Sequence, residues 1–172
     1  MINVFFDCEF TKLQLPLDPE PNELISIGCI SESGERFYAE NSCYRVELCS
    51  EFVIETVLPL LEGGDHIMHY SMIAKKLRLY IESFDGLVKM WSDACYWDWQ
   101  HVEHLFDTYG WPENLVRHPV ALIFPSSIQQ TRFNSAVEDA FISFQPTLRR
   151  HHALDDAVAN RFGFQRATAR KF

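Results

Sequence analysis

The chain has 172 residues, of which 47% are hydrophobic and 14% aromatic, enough apolar material for a full-sized core and too much for a disordered segment. Charged or polar residues interrupt every apolar run before it could span a bilayer. The formal net charge of −9 and a pI near 5.2 argue against a protein that coats nucleic acid non-specifically, which would be basic. They argue less against an enzyme whose acids hold metal cations, because bound cations cancel part of the charge.

The first element is "INVFFDCEF", residues 2–10, a β-rich strand. Its acids at positions 7 and 9 fall where a signal peptide would have its apolar core, so the cytoplasm is the default location. A Pro-broken loop, "TKLQLPLDPEPNE", leads to "LISIGCISESGERFYAEN", two strands around a "SESGE" turn. "SEFVIETVLPLL" predicts a short helix stopping near Pro59. "SMIAKKLRLYIESF" predicts a longer helix with Ser71 as its N-cap. "GLVKMWSDA" reads as a buried strand and "WDWQHVEHLFDTYG" as an amphipathic helix ended by Gly110. "HPVALIF" supplies a fifth strand, and "NSAVEDAFISF" and "HHALDDAVANRF" are helices separated by "QPTLRR". Three strands followed by alternating strands and helices predict an α/β protein, a mixed five-stranded sheet flanked by helices, in one domain over residues 1–172. Cys8, Cys29, Cys43, Cys49 and Cys95 are odd in number and form no CxxC pair, so they read as reduced thiols.

The chemistry concentrates in the acids. Side chains alternate across a strand, so Asp7 and Glu9 share one face while Phe6, Cys8 and Phe10 take the other. Two carboxylates projecting together repel and resist burial. They are either solvated on an edge strand or offset by a divalent cation such as Mg²⁺ or Mn²⁺, which favours oxygen ligands. Asp98, at the predicted helix start, is a candidate further ligand or an N-cap, with Asp93 its competitor nearer the strand end. In "RRHHALDDAVANR", helical geometry pairs His152 with Asp156. Acids at a helix N-terminus suit its dipole, yet that gives no reason for a doubled histidine. The tail carries Arg149, Arg150, Arg161, Arg166, Arg170 and Lys171, readable as a phosphate-facing patch or a solvated helix face.

Taken in order, these pieces resemble the DEDD superfamily of 3′–5′ exonucleases, in the subgroup with a catalytic histidine. "DCEFT" matches its Asp-x-Glu motif, "YWDWQHVEHLF" its second motif at Asp98, and "HHALDD" its motif of His followed five residues later by Asp. "ELISIGCISESGERFYAE" also resembles the strand pair of the small single-domain exoribonucleases of mycobacterial type. The resemblance implies a ribonuclease H-like sheet and two divalent ions, Mg²⁺ or Mn²⁺, bound by Asp7, Glu9, Asp98 and Asp156. It selects His151 as general base, on a mobile loop just before the helix, and prefers Asp156 to Asp155 and Asp98 to Asp93. It implies substrate contacts from Phe10 and Thr11, although strand alternation would bury Phe10 on the side away from Asp7. Of Trp97 and Trp99, flanking Asp98, Trp99 is a candidate to stack on a base, with packing the role of at least one of the two. Arg149 and Arg150 are candidates for phosphate contacts. The implied activity is hydrolysis from the 3′ end of single-stranded or overhanging RNA, or DNA, releasing nucleoside 5′-monophosphates, with no membrane partner and with two copies pairing. The rivals are endonucleolytic cutting on the same architecture, and a silent nuclease fold that holds nucleic acid or a protein partner.

Overall fold

The computed structural model describes residues 1–14, 18–144 and 147–169. Parts of both proline-containing linkers, together with Arg170 and Lys171 of the basic tail, lie outside the described residues. The strands are β1 (Ile2–Phe10), β2 (Leu24–Ser31), β3 (Arg36–Asn41), β4 (Ile67–Met68), β5 (Val88–Ser92) and β6 (Val120–Ala121). The helices are α1 (Tyr70–Glu82), α2 (Cys95–Tyr109), α3 (Ser127–Ser143) and α4 (Ala153–Thr168).

The strands form one mixed sheet in the order β4-β3-β2-β1-β5-β6. β1 runs antiparallel to β2 and parallel to β5, which puts it at the centre. Val4, Phe6 and Cys8 of β1 pack with Ile73 and Leu77 of α1 and Trp99 and Val102 of α2. Phe5 turns to the opposite layer, where Phe133 of α3 and Phe164 of α4 meet it. A strand covered by helices on both faces needs apolar residues throughout, and all eight residues of β2, "LISIGCIS", are buried.

Several expectations are corrected. The sheet has six strands, not five, because Ile67 and Met68 pair with Glu40 and Asn41, a segment too short to show any periodicity. The fifth expected strand, "HPVALIF", shrinks to Val120–Ala121. The short helix before Pro59 is a π-helical turn, Val53–Val57, followed by a 3₁₀ turn, Leu58–Leu60. α1 is capped by His69, whose ring accepts the Ser71 backbone N–H at 3.2 Å, and not by Ser71. α2 starts at Cys95, so Asp98 lies within its first turn and is not the cap. α3 starts at Ser127, ahead of "NSAVEDAFISF", because its first turns, "SIQQTR", are polar and carry little hydrophobic pattern.

The position of α4 decides where the site forms. Its inward face carries small residues where it meets the sheet, with Ala153 and Ala157 both buried, so its backbone settles directly on the sheet; Ala159 is buried on the side that meets α3. A Cβ added at Gly28 of β2 would lie 2.2 Å from the backbone nitrogen of Leu154 and 2.4 Å from the carbonyl carbon of Ala153. Gly28 is also the cross-strand partner of Asp7. The missing side chain at position 28 therefore lets the start of α4 sit beside Asp7.

Gly28→Ala is expected to push the N-terminus of α4 off the sheet, since the obstructing atoms are backbone and cannot rotate away. The loss should be about 3 kcal/mol, at the upper end of overpacking costs. Urea unfolding of the variant against the parent measures it.

Candidate functional site

Asp7 and Glu9 project from the C-terminal half of β1, and Asp156 from the first turn of α4. One carboxylate oxygen from each lies within 4.8 Å of the other two. Asp98 and Asp93 join them in lining a cleft of about 310 Å³ at the carboxyl ends of β1 and β5. Asp98 is 1% exposed and accepts a short hydrogen bond from the Ser92 hydroxyl at the end of β5. It therefore sits beside the trio of Asp7, Glu9 and Asp156. Asp93, exposed, accepts the amide of the buried Asn160 at 2.7 Å.

These acids oppose one another. Burial, then repulsion from Asp98, Asp156, Glu9 and Asp93, holds the Asp7 carboxyl well above the usual range. Glu9 is pushed up to about 8 by burial and by Asp156 and Asp98. Asp98 and Asp156 each rise to about 7, with burial the largest cause. The Ser92 hydroxyl on Asp98 and the His151 N–H on Asp156 pull the other way. Among the described residues, no lysine or arginine forms an ion pair with any of the four. Arg150, across the same cleft, only partly offsets Asp156, and a converging set of oxygen donors with no ion-paired cation suits a hard divalent cation, whose bonds to oxygen are about 2.0–2.6 Å long. The separations of the trio are about those of ligands around one such ion.

His151 ends the turn before α4 with φ +64°, the one non-glycine residue in the left-handed region among the described residues. Its backbone N–H donates to Asp156 Oδ2 at 2.8 Å, and Phe52 meets its ring edge-on at 5.0 Å. Desolvation first, and Arg150 second, lower the pKa of the imidazole, which favours its neutral form. His152 is the cap of α4 and is buried, its Nδ1 accepting the Asp155 N–H at 3.4 Å. Of the expected pairing of His152 with Asp156, only the backbone bond is seen among the described residues, the Asp156 N–H donating to the His152 carbonyl at 3.0 Å; the His152 ring turns to Asp155 instead. The turn is anchored on its other side by Arg149, which donates to Asp155 at 2.8 Å, Glu62 at 2.9 Å and the Leu60 carbonyl at 3.3 Å.

The remaining candidates divide. Phe10, Trp97 and Arg150 line the cleft. Phe10 also stacks on His101, with ring centroids 5.3 Å apart, and Arg150 pairs with Glu138 at 2.5 Å. Trp99 packs in the core against Phe6 and Trp111. Thr11 is buried, its hydroxyl accepting the Glu23 N–H at 3.0 Å, and Arg149 is held in the network above. None of these three lines the cleft. Sequence reasoning missed Ser92, Asn160 and Phe52. The only available hint was the position of Ser92, at a strand end six residues before Asp98.

No family model matches the chain, and no curated protein does. Solved structures of similar fold exist. One describes 3′-end-specific recognition of histone mRNA stem-loop by 3′-exonuclease. It shares 12% identity over 96% of this chain, with a TM-score of 0.56, and this chain spans 63% of its length. Another is a full-length 3′-exonuclease with 13% identity, TM-score 0.53, and coverage of 95% of this chain and 80% of that one. At such identity the likeness is one of fold: an α/β, ribonuclease H-like mixed sheet flanked by helices. No helix among the described residues is long and apolar enough to cross a membrane.

The raised acids fix a pH dependence. Between the unfolded carboxyl range near 4 and the folded values of about 7 to 8, the native chain holds more protons than the unfolded one. Metal-free stability should therefore fall as pH rises through that window. Thermal unfolding in EDTA at pH 5, 7 and 8 is expected to show this fall, and Mn²⁺ or Mg²⁺ should restore stability most at pH 8. Asp7→Asn should flatten the EDTA profile and shrink the metal-induced gain. A metal-free stability that rises with pH would contradict this account of the cluster.

Proposed function

We propose that the chain is a metal-dependent 3′–5′ exonuclease acting on RNA, with single strands or short overhangs as substrates. The observation that carries this reading is the convergence of Asp7, Glu9 and Asp156, with Asp98 alongside and His151 hydrogen-bonded through its backbone to Asp156. The order of these residues along the chain is that of the DEDD exonucleases with a catalytic histidine. Similarity of fold to two 3′-exonucleases, one of them in a structure with histone mRNA stem-loop, supports the substrate class.

Asp7, Glu9, Asp98 and Asp156 would hold two divalent ions, Mg²⁺ or Mn²⁺. When bound, such ions lower the pKa of water and stabilise charge on the attacking and leaving oxygens of a phosphoryl displacement. The chain's own residues supply the rest. A ring nitrogen of His151, kept neutral by its surroundings, takes the proton of the attacking water. The water oxygen bonds to phosphorus, the P–O3′ bond breaks, and the leaving 3′ oxygen is protonated from solvent. The product is a nucleoside 5′-monophosphate. The Asp156 carboxylate fixes the His151 main chain and so positions the base relative to the acids. Trp97 and Phe10 offer rings at the cleft wall for the terminal base, and Arg150 offers a guanidinium for a phosphate oxygen.

A 5′-labelled single-stranded RNA and its DNA counterpart, incubated with Mg²⁺ or Mn²⁺, test the reading. A ladder shortening from the 3′ end is expected, faster on RNA. EDTA, a blocked 3′ end and Asp7→Ala should each abolish it. His151→Asn, which tolerates the left-handed backbone, should lower kcat by about 10²–10⁴-fold, the usual contribution of a general base, with KM little changed. Absence of cleavage of either polymer by folded protein would favour the silent binding fold instead.

A further inference from the structure

Among the described cations, some are ion-paired, Lys75, Lys76, Lys89 and Arg117 are scattered without an ion pair, and four further arginines share one region. Lys12, Arg45, Arg78, Arg149 and Arg150 each have a carboxylate partner. Arg36, Arg132, Arg161 and Arg166 form no ion pair among the described residues, although Arg161 lies near enough to Glu35 to help lower its carboxyl pKa, and all four line hollows that share Phe162. Arg132 and Arg166 line a groove on one side of that ring with Ser135 and Asp139, and Arg36 and Arg161 line a hollow on the other. The Arg166 guanidinium lies over the ring, 5.0 Å from its centroid. Phe144, 46% exposed, meets the same ring edge-on at 5.8 Å. Arg161 donates to the Glu32 carbonyl twice, from Nε at 3.1 Å and from Nη2 at 2.8 Å.

A solvated helix face would explain charges repeated along one helix. Here the arginines come from β3, α3 and α4 and converge, at a cost in mutual repulsion, on a chain of net charge −9. Guanidiniums for phosphates beside partly open rings for bases are the two parts of a surface for single-stranded nucleic acid. The groove also connects with the acidic cleft. A third hollow shares Asp93, Asn160 and Arg150 with the cleft and Ser135 with the Arg132–Arg166 groove.

We propose that Arg132, Arg166 and Phe162 bind the 5′-ward continuation of a single strand whose 3′ end lies in the acidic cleft. The strand passes Arg150 and Ser135 on its way. The 3′-end placement rests on the nuclease reading; the binding surface itself does not. Asp156 and Arg166 are ten residues apart on α4, about 15 Å along a helix, or roughly four nucleotides at 3.4 Å per stacked step. The surface should therefore serve long oligonucleotides and be out of reach of very short ones.

The test compares the parent, Arg132→Ala/Arg166→Ala, and Lys75→Ala/Lys76→Ala, a control that removes the same charge from exposed positions on α1. Thermal unfolding first checks that all three fold alike. Binding of 5′-fluorescein single-stranded RNA is then followed by anisotropy in EDTA across a salt series. The RNAs are about twelve nucleotides, long enough to reach Arg166, and about three, too short to do so. The arginine variant should bind the long RNA about tenfold more weakly, with a salt slope shallower by about 1.4 for two lost single-strand phosphate contacts. With Mg²⁺ it should cleave the short RNA at the parent's rate, while the lysine variant matches the parent throughout. Unchanged binding and slope in the arginine variant would overturn the proposal. So would equal weakening in both variants, or competition by polyglutamate as effective as by RNA at equal charge. Arginine-dependent binding by a protein that cleaves neither RNA would sink the nuclease reading and leave the surface standing.

Discussion

The candidate site depends on the contact between the backbone at Ala153–Leu154 and the bare Cα of Gly28. β1 can carry two acids through the middle of the sheet, but a third acid near them must come from another element. That element has to approach to backbone distance. Small side chains along α4 and no side chain at position 28 permit it, and the antiparallel register sets Gly28 opposite Asp7. On the side of α4 that meets α3, a Cβ at Gly163 would stand 2.7 Å from the Val137 side chain and 2.8 Å from the Phe133 ring, so α3 closes on it there as well, though through side chains. α4 is thus wedged between sheet and helix, and Asp156 has little freedom in where it points.

The same closeness sets the local energetics. Four carboxylates share a cleft in which each is harder to ionise because of the others and because of burial. A stability optimum would place apolar residues or cations there. Local destabilisation with no structural return is the mark of a place shaped by chemistry and not by folding. The surroundings offset part of it: Ser92 donates to Asp98, the His151 main chain to Asp156, and Asn160 to Asp93.

Much of this was legible in the sequence, for identifiable reasons. β1, β2, β3 and β5 and the cores of α1, α2 and α4 follow from hydrophobic period, because burial on a sheet or one helix face leaves a repeating trace. β4 and the first turns of α3 leave no such trace, since Ile67–Met68 is a pairing of two residues and "SIQQTR" faces largely outward. The acids stood out because charge inside an apolar strand is costly. Their partners did not: Ser92, Asn160 and Phe52 are ordinary residues whose relevance is fixed by tertiary contact alone. The same holds for Trp97 and Trp99. Both flank Asp98 in sequence, and only the helix phase turns Trp97 to the cleft and Trp99 to the core.

The hydrogen bond from the His151 main chain to Asp156 has a thermodynamic consequence. Asp7 and Glu9 stand on a central strand and Asp156 is tethered on its own turn, so on the proposed metal-dependent reading the carboxylates would be in place before any ion arrives. Loading such a site is neutralisation of charge with little accompanying order. Its calorimetric signature is a heat-capacity change near zero, since no apolar surface is covered. On that reading protons would leave the raised carboxyls as an ion enters, and the observed heat would vary with the ionisation enthalpy of the buffer.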